Sequence, residues 1–157
     1  MKNTLKFKFL SFFVFVLVLL TMASCGKSDD RDQFEGSYKV DAIGSVTIYI
    51  GDQTGTVPFD QENESMTITK SSSNATEVLV SGFLDQVATV QGNNIYFESF
   101  TETGSQDGLT LNLTFDVKKG TLNGNVLTFK IEVSGNGYYQ GYSFPATGTI
   151  SCVATKN

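Results

Sequence analysis

The sequence predicts an all-β protein, a small antiparallel meander β-barrel of about eight strands, and three observations support this. Beyond residue 30, apolar residues recur at every second position, the spacing that places them on one face of a strand. Short segments rich in Gly, Asn, Asp and Ser separate these runs and are typical of turns. No stretch beyond residue 30 has the spacing of an amphipathic helix. Closing the sheet removes exposed edges, which favours a barrel, and a two-sheet sandwich is the alternative.

The predicted strands follow one another with short connections, which favours antiparallel neighbours. In the first strand every even position from Tyr38 to Ile50 is apolar except Gly44, where we expect a bend. In the last strand Cys152 alternates with apolar neighbours, so we interpret it as a buried side chain and not as a reactive thiol. The eight predicted strands are residues 38–50, 65–70, 76–84, 86–91, 94–100, 108–117, 125–133 and 143–155.

The chain begins with a segment typical of an exported protein. Three lysines precede an uncharged apolar run over residues 9–20, and the small residues Ala23 and Ser24 come just before Cys25. The run is shorter than the roughly 18 residues of a spanning helix, but it suits a secretory signal peptide. An ordinary signal peptide followed by an incidental thiol is the alternative interpretation.

The stretch Met22-Ala23-Ser24-Cys25 resembles the lipobox of bacterial lipoproteins. The resemblance implies that Cys25 receives a diacylglycerol, that residues 1–24 are removed and that the new amino terminus is acylated. Residues 25–33 would then be the lipidated cysteine with a polar linker, and residues 34–157 the barrel domain. Two or more acyl chains are enough for stable anchoring, since each buried methylene contributes about 0.8 kcal/mol.

The residues after Cys25 resemble the lipoprotein export signal of Bacteroidetes, a lysine and two acids close to the lipidated cysteine. Here these are Lys27, Asp29 and Asp30. The resemblance implies a lipid-anchored protein of the outer membrane that faces the cell exterior. The alternative is a periplasmic orientation, with this segment a merely solvated linker.

The charge of the mature chain limits its partners. Removing residues 1–24 takes away three of the eleven basic residues and none of the sixteen acidic ones, which leaves a formal charge of −8. Nucleic-acid binding is therefore not expected, and neither is electrostatic attraction to an anionic membrane. The expected membrane partner is reached through the lipid anchor.

The predicted strands also resemble the calycin-like, or lipocalin-like, domains of Bacteroidetes lipoproteins. The resemblance rests on the alternation, on Gly36-Ser37-Tyr38 where lipocalins have glycine-x-tryptophan, and on a hairpin carrying Gly and Asn near residue 124. Lipocalins also have an arginine near the end of the barrel that packs on the tryptophan, and only Lys156 lies near that place. The resemblance implies a calycin-type barrel.

The residue types argue against an enzyme, a metal site or a cofactor. The sequence has no histidine, which removes the commonest general base and the commonest transition-metal ligand. Two groups of acids could still supply paired carboxylates, but solvated loops explain them better. These groups are Asp60, Glu62 and Glu64, which would share a face if they lay on a regular strand, and Glu98 with Glu102.

One aromatic segment, residues 135–144, is the candidate binding site. Aromatic faces on a loop can stack on sugars or apolar ligands, although tyrosine is also an ordinary strand residue. The candidate residues are Tyr138, Tyr139, Tyr142 and Phe144, with Tyr49 and Phe59 as neighbours at the same end.

The sequence thus predicts a non-enzymatic cell-surface binding module for a glycan, a lipid or a small apolar ligand. The alternative is a structural or protein-interaction role, as an accessory subunit or as an inhibitor of a foreign enzyme. A filled barrel with an exposed apolar patch or a free strand edge would favour this alternative.

Overall fold

The computed structural model describes residues 29–106 and 108–157, and it confirms the all-β class. Cys25, Lys27 and the predicted signal peptide lie outside the described residues. A short 3-10 helix, Asp30–Gln33, precedes ten antiparallel strands. The strands are β1 (Gly36–Ile50), β2 (Gln53–Lys70), β3 (Glu77–Gly82), β4 (Gln86–Gln91), β5 (Asn94–Tyr96), β6 (Phe100–Gln106), β7 (Leu109–Val117), β8 (Gly120–Asn123), β9 (Val126–Tyr139) and β10 (Tyr142–Lys156).

All ten strands belong to one sheet, and eight of them pair into a ring. The ring runs β10-β1-β2-β3-β4-β5-β8-β9, and β9 pairs with β10 to complete it. The β6–β7 hairpin stays outside the ring, and β7 pairs with β9. The first residues of β9 pair with β8, whereas its residues from Ile131 to Tyr139 pair with β7.

Unequal strand lengths give the ring a closed end and an open end. Strands β1, β2, β9 and β10 have 14 to 18 residues, whereas β3, β4, β5 and β8 have 3 to 6. Beyond the short strands, the long ones continue together with the β6–β7 hairpin as a six-stranded sheet in the order β2-β1-β10-β9-β7-β6. Residues 53–64 of β2 pair with β1 only, so their other edge is free.

The interior of the ring is filled by a core to which all eight ring strands contribute. The alternation predicted for β9 is confirmed, because Leu127, Phe129, Ile131 and Val133 are all buried. In β7, by contrast, only Val117 is buried, and the other apolar residues of the predicted face are half-buried. The reason is that most of β7 lies outside the ring, over the open end.

The 3-10 helix covers the closed end. Phe34, directly after this helix, is fully buried, and its carbonyl accepts a hydrogen bond of 2.7 Å from the hydroxyl of Tyr38. The guanidinium of Arg31 donates to the carbonyls of Ser71 and Asn74, at 3.0 and 2.8 Å. The described part of the predicted linker, residues 29–33, is therefore hydrogen-bonded to the sheet.

Gly44, the glycine predicted to bend β1, lies where β1 and β10 approach each other closely. A Cβ atom at Gly44 would lie 2.2 Å from the carbonyl oxygen of Thr149, and one at Gly148 would lie 2.3 Å from that of Ser45. Both glycines lie on the core-facing side of adjacent strands, where β1 pairs with β10. Side chains at these positions would force the two backbones apart, so the glycines permit the close approach of β1 and β10.

Three predictions about individual strands were wrong. Residues 53–64, which lie outside all the predicted strands, form the first two thirds of β2. The predicted strand over residues 94–100 ends at Tyr96, and a new strand, β6, begins at Phe100. The short strand β8 was not predicted. In each case the pairing partner, and not the local composition, decides the structure.

Alkaline pH should destabilise the protein through two buried groups. Burial raises the pKa of the Cys152 thiol from 9.0 to about 12 and the pKa of the Tyr38 phenol from 10.0 to about 12. Both groups are neutral when protonated, so their contribution to stability is complete below pH 9 and is lost as the pH rises toward 12. We expect the denaturant midpoint to fall over this range, and to fall less steeply in Cys152→Ala. A midpoint with the same pH dependence in both proteins would contradict this.

Candidate functional site

A cleft of about 360 Å³ lies at the mouth of the ring, where the short strands end and the long ones continue. We call it the mouth cleft. Its floor includes Ile131 and Ile150, which belong to the buried core. Its other lining residues come from β2, the last residue of β3, the β3–β4 connection, β6 and β7: Phe59, Gln61, Glu64, Gly82, Phe83, Leu84, Phe100, Glu102 and Phe115.

Half-buried aromatic rings form much of the wall of this cleft. Phe100 and Phe115 are opposite each other on β6 and β7, and their rings stack with centroids 5.1 Å apart at 13°. Phe59 on β2 is also half-buried. These rings are accessible because β3 and β4, the strands that would cover them, are short and end before they reach these residues.

A bulge in β2 determines which carboxylate reaches the cleft. The register of β1 and β2 shifts between Val40 and Ala42, and Asn63 adopts a positive φ of 59°. The backbone N–H of Asn63 donates to Asp41 Oδ1 at 2.9 Å. On a regular strand Asp60 and Glu64 would share a face, but the bulge makes β2 irregular between these two residues. The extra residue places Glu64 in the cleft, whereas Asp60 lies on the other face of the sheet.

Glu64 is joined in the mouth cleft by Glu102 of β6. Glu102 lies opposite Leu113 on the core-facing side of the hairpin. Both carboxylates are solvent-exposed. The expected solvated loops were wrong for both, since each residue lies in a strand. Gln61 adds an amide to the lining.

The predicted aromatic candidates lie at the tip of the β9–β10 hairpin. Gln140 and Gly141 form its two-residue turn, both with positive φ, as a type I′ turn requires. Tyr139 and Tyr142 are opposite each other on the core-facing side, and both are exposed, Tyr142 by 76%. Tyr138 is exposed on the outer side.

Phe144, the fourth candidate, is buried at 4% exposure and offers no accessible face. It lies opposite Gly137, where a Cβ atom would come within 2.0 Å of its ring. The glycine therefore leaves the space that this ring occupies. Phe144 anchors the hairpin, and the three tyrosines remain as its accessible aromatic groups.

The tyrosine tip and the mouth cleft are separate. Tyr139 is opposite Leu109, six residues along β7 from Phe115, which corresponds to about 20 Å. The core-facing side between them carries Leu111 and Leu113, both half-buried. The predicted site residues therefore lie at one end of an apolar strip, and the cleft at the other.

Asp29 and Asp30 of the predicted export signal are hydrogen-bonded at the closed end. Asp29 caps the 3-10 helix and accepts from the Arg31 side chain at 2.7 and 2.9 Å. These bonds lower the pKa of Asp29 to about 2. Asp30 Oδ2 accepts from the backbone N–H of Gly92 at 2.7 Å.

Another depression, of about 430 Å³, lies beside β4 and β5. Exposed residues contribute to its lining, among them Val87, Tyr96 and Glu98. We consider the mouth cleft the better candidate, because its floor reaches the buried core and its walls carry four half-buried phenylalanines.

Two searches within the described residues were negative. Over residues 29–106 and 108–157, no helix has the length and apolarity needed to cross a membrane. The same residues contain no group of three or more Cys, Asp or Glu side chains placed to hold a metal ion.

No protein-family model matches the chain, and no curated protein matches its sequence. The functional assignment therefore depends on the geometry of the site.

The sequence interpretation missed most of the cleft. The sequence predicts Phe59 near the tyrosines, and it does not single out Phe100 or Phe115 as binding residues. A local signal for the bulge did exist, because asparagine tolerates a positive φ better than most residues. Nothing in the sequence indicated that β3 and β4 end early enough to expose the aromatic rings.

Proposed function

We propose that this protein is a non-enzymatic, lipid-anchored binding module of the outer membrane that takes a small apolar ligand in its mouth cleft. The observation that carries the proposal is an accessible cleft with phenylalanine walls and a floor of core residues. Its volume of about 360 Å³ is at the low end of the range for ligand pockets, about 300–1,000 Å³. The interior of the ring is filled, so the ligand would sit at the mouth and not deep inside.

We further propose that the ring is a calycin-type barrel. The single sheet and its eight-strand ring support a barrel over a sandwich. Lys156 lies opposite Tyr38, and a Cβ atom at Gly36 would come within 2.6 Å of the Lys156 side chain. Lys156 Nζ also donates to the carbonyl of Gln33 at 3.2 Å. These contacts support the proposal, because lipocalins have an arginine near the end of the barrel that packs on the aromatic residue of the first strand.

The proposed anchor would orient the molecule. Three residues separate Cys25 from Asp29, so a lipidated Cys25 lies within about 14 Å of Asp29 even if the chain between them is extended. Asp29 is hydrogen-bonded at the closed end of the ring. The mouth cleft and the tyrosine tip would then face away from the membrane, toward the cell exterior under the proposed export.

Cys25→Ala should move the protein from the membrane fraction to the soluble fraction, because the lipid is the only proposed attachment. Fractionation of cells that export the protein measures this. Cys152→Ala is the matched control, since it removes the other cysteine and should leave the protein in the membrane fraction. A Cys25→Ala protein that still sediments with membranes would contradict lipid anchoring.

The cleft is tested with phenylbutanol, a neutral probe with a ring and a short apolar chain. We expect the full chain, reconstituted in lipid nanodiscs, to bind it, with empty nanodiscs correcting for partition into lipid. Phe115→Ala should weaken binding by roughly tenfold or more, because burial of one phenyl group contributes about 1.5–3 kcal/mol.

Tyr139→Ala is the control for the cleft, because it removes an aromatic ring about 20 Å away and should leave binding unchanged. Equal binding by wild type and Phe115→Ala would contradict the assignment of the ligand to this cleft.

A protein-interaction role is the second candidate, and the filled ring together with the free edges favours it. Residues 53–64 of β2 and the outer edge of β6 could each accept an added strand. Pro58 and the bulge at Asn63 interrupt the β2 edge, which limits unspecific pairing there. Loss of protein partners after disruption of these edges, with phenylbutanol binding unchanged, would favour this role.

We do not propose a hydrolase from the two cleft carboxylates. A carboxylic acid that acts as general acid near neutral pH depends on burial to keep its proton. Glu64 and Glu102 are both exposed, which suits the recognition of charge better than acid catalysis.

A further inference from the structure

We infer that the ligand of the mouth cleft is an apolar cation, a molecule with an aromatic or aliphatic body and one ammonium or guanidinium group. This inference rests on the proposed function of the cleft and assigns the chemical class of its ligand. It combines two observations: the apolar floor and walls, and the sign of the charges at the rim.

The charged residues that line the cleft are both acidic. Glu64 and Glu102 come from strands at opposite edges of the open sheet, and none of the lysines and arginines in the described part of the chain lines the cleft. The ion pairs recorded among the described residues use other carboxylates, namely those of Asp29, Asp32, Glu35, Asp116 and Glu132. The charge of the two glutamates is therefore available to a bound cation.

A basic side chain near this part of β2 is held on the outside of the sheet. Lys39 Nζ donates to the carbonyl of Asn63 at 3.2 Å and to Ser65 Oγ at 3.1 Å. Lys39 alternates with the buried Tyr38 and Val40, so it points away from the core and from the cleft. It occupies the outer side of the bulge that places Glu64 in the cleft.

The mouth cleft offers different surroundings to the two parts of such a ligand. Its apolar body would contact Phe59, Phe100 and Phe115, whose faces also attract cations. Its charged group would remain at the exposed rim beside the two carboxylates. An anion of the same shape would meet two like charges there and should bind more weakly.

Three probes that share one apolar body test the inference: phenylbutylamine, phenylbutanol and phenylbutyrate. Binding to the full chain in nanodiscs of neutral phosphatidylcholine is measured by calorimetry, with empty nanodiscs subtracted. We expect the amine to bind most tightly and the carboxylate least tightly, with about a tenfold difference between them, as expected for exposed charge pairs.

Glu64→Gln combined with Glu102→Gln should abolish the preference for the amine while phenylbutanol binding persists. Glu62→Gln is the matched control, because it removes the same charge from an exposed residue of the same strand that does not line the cleft. The control should keep the preference. In the unmodified protein, raising the salt concentration should reduce the preference, because exposed charges are screened.

The outcomes distinguish the inference from the proposed function. If the three probes bind equally, or the carboxylate binds best, the cationic class is wrong and the apolar cleft stands. If none of them binds, both the cleft and its ligand class are wrong. If the preference for the amine survives in the variant with Glu64→Gln and Glu102→Gln, the cation does not bind beside these two carboxylates, and the inference is overturned.

Discussion

Phe129→Ala should lower the free energy of unfolding by about 3–5 kcal/mol, the range for truncating a buried phenylalanine. Phe129 of β9 is 4% exposed and lies inside the ring. Its ring centroid is 5.5 Å from that of Phe97 and 6.4 Å from that of Phe83. The truncation would leave a cavity between strands that are fixed by their pairing, so the surroundings can relax only partly. Urea denaturation measures the loss.

Phe115→Ala is the matched control for this prediction. The same atoms are removed, but Phe115 is half-buried in the mouth cleft, where water can occupy the space. We expect a cost of about 1–2 kcal/mol, part of the transfer free energy of one phenyl group. Equal costs for the two variants would contradict the contrast between a buried Phe129 inside the strand ring and a half-buried Phe115 in the mouth cleft.

Gly44→Ala should destabilise the protein by about 2–3 kcal/mol or more, although it adds one methyl group. The new Cβ would lie 2.2 Å from the carbonyl oxygen of Thr149 and 2.7 Å from Cα of Ile150. Both are backbone atoms of β10, which cannot move away without breaking the β1–β10 pairing. The unfolding free energy measures the cost, and amide hydrogen exchange should become faster along β1 and β10.

Gly55→Ala provides the control in the same sheet. Gly55 lies in β2, opposite Ile48, and a Cβ atom there would meet nothing within 4 Å. We expect a change within about 0.5 kcal/mol. A large cost at Gly55, or a negligible one at Gly44, would contradict the close approach of β1 and β10.

The fold was predictable where the alternation is regular. In the parts of β9 and β10 that belong to the ring, every second residue is buried, so the pattern of Leu127 to Val133 and of Ile150 to Ala154 gives the buried face directly. In β7 the same alternation predicts the correct core-facing side, but the residues on that side before Val117 are only half-buried. Its residues from Leu109 to Phe115 pair with the part of β9 that extends beyond the ring.

The candidate site was predictable only in part. The tyrosines at the β9–β10 tip are accessible, as expected from turn residues among aromatics, but Phe144 is buried below them. The mouth cleft joins residues that are far apart in sequence, from Phe59 to Ile150. The acidic rim of the cleft depends on the bulge at Asn63. The bulge shifts the register of β2 by one residue, and this moves Glu64 to the core-facing side of the sheet.

The sequence by itself determined the all-β class, the core-facing residues of the regular strands and the burial of Cys152, because these depend on a local period of two. The tertiary structure alone decided where the ring closes, which aromatic rings stay accessible and which two carboxylates line the mouth cleft. Those features depend on where strands end and on which distant strand each one pairs with. No local pattern encodes either of them, since strand pairing is fixed by the packing of the whole sheet.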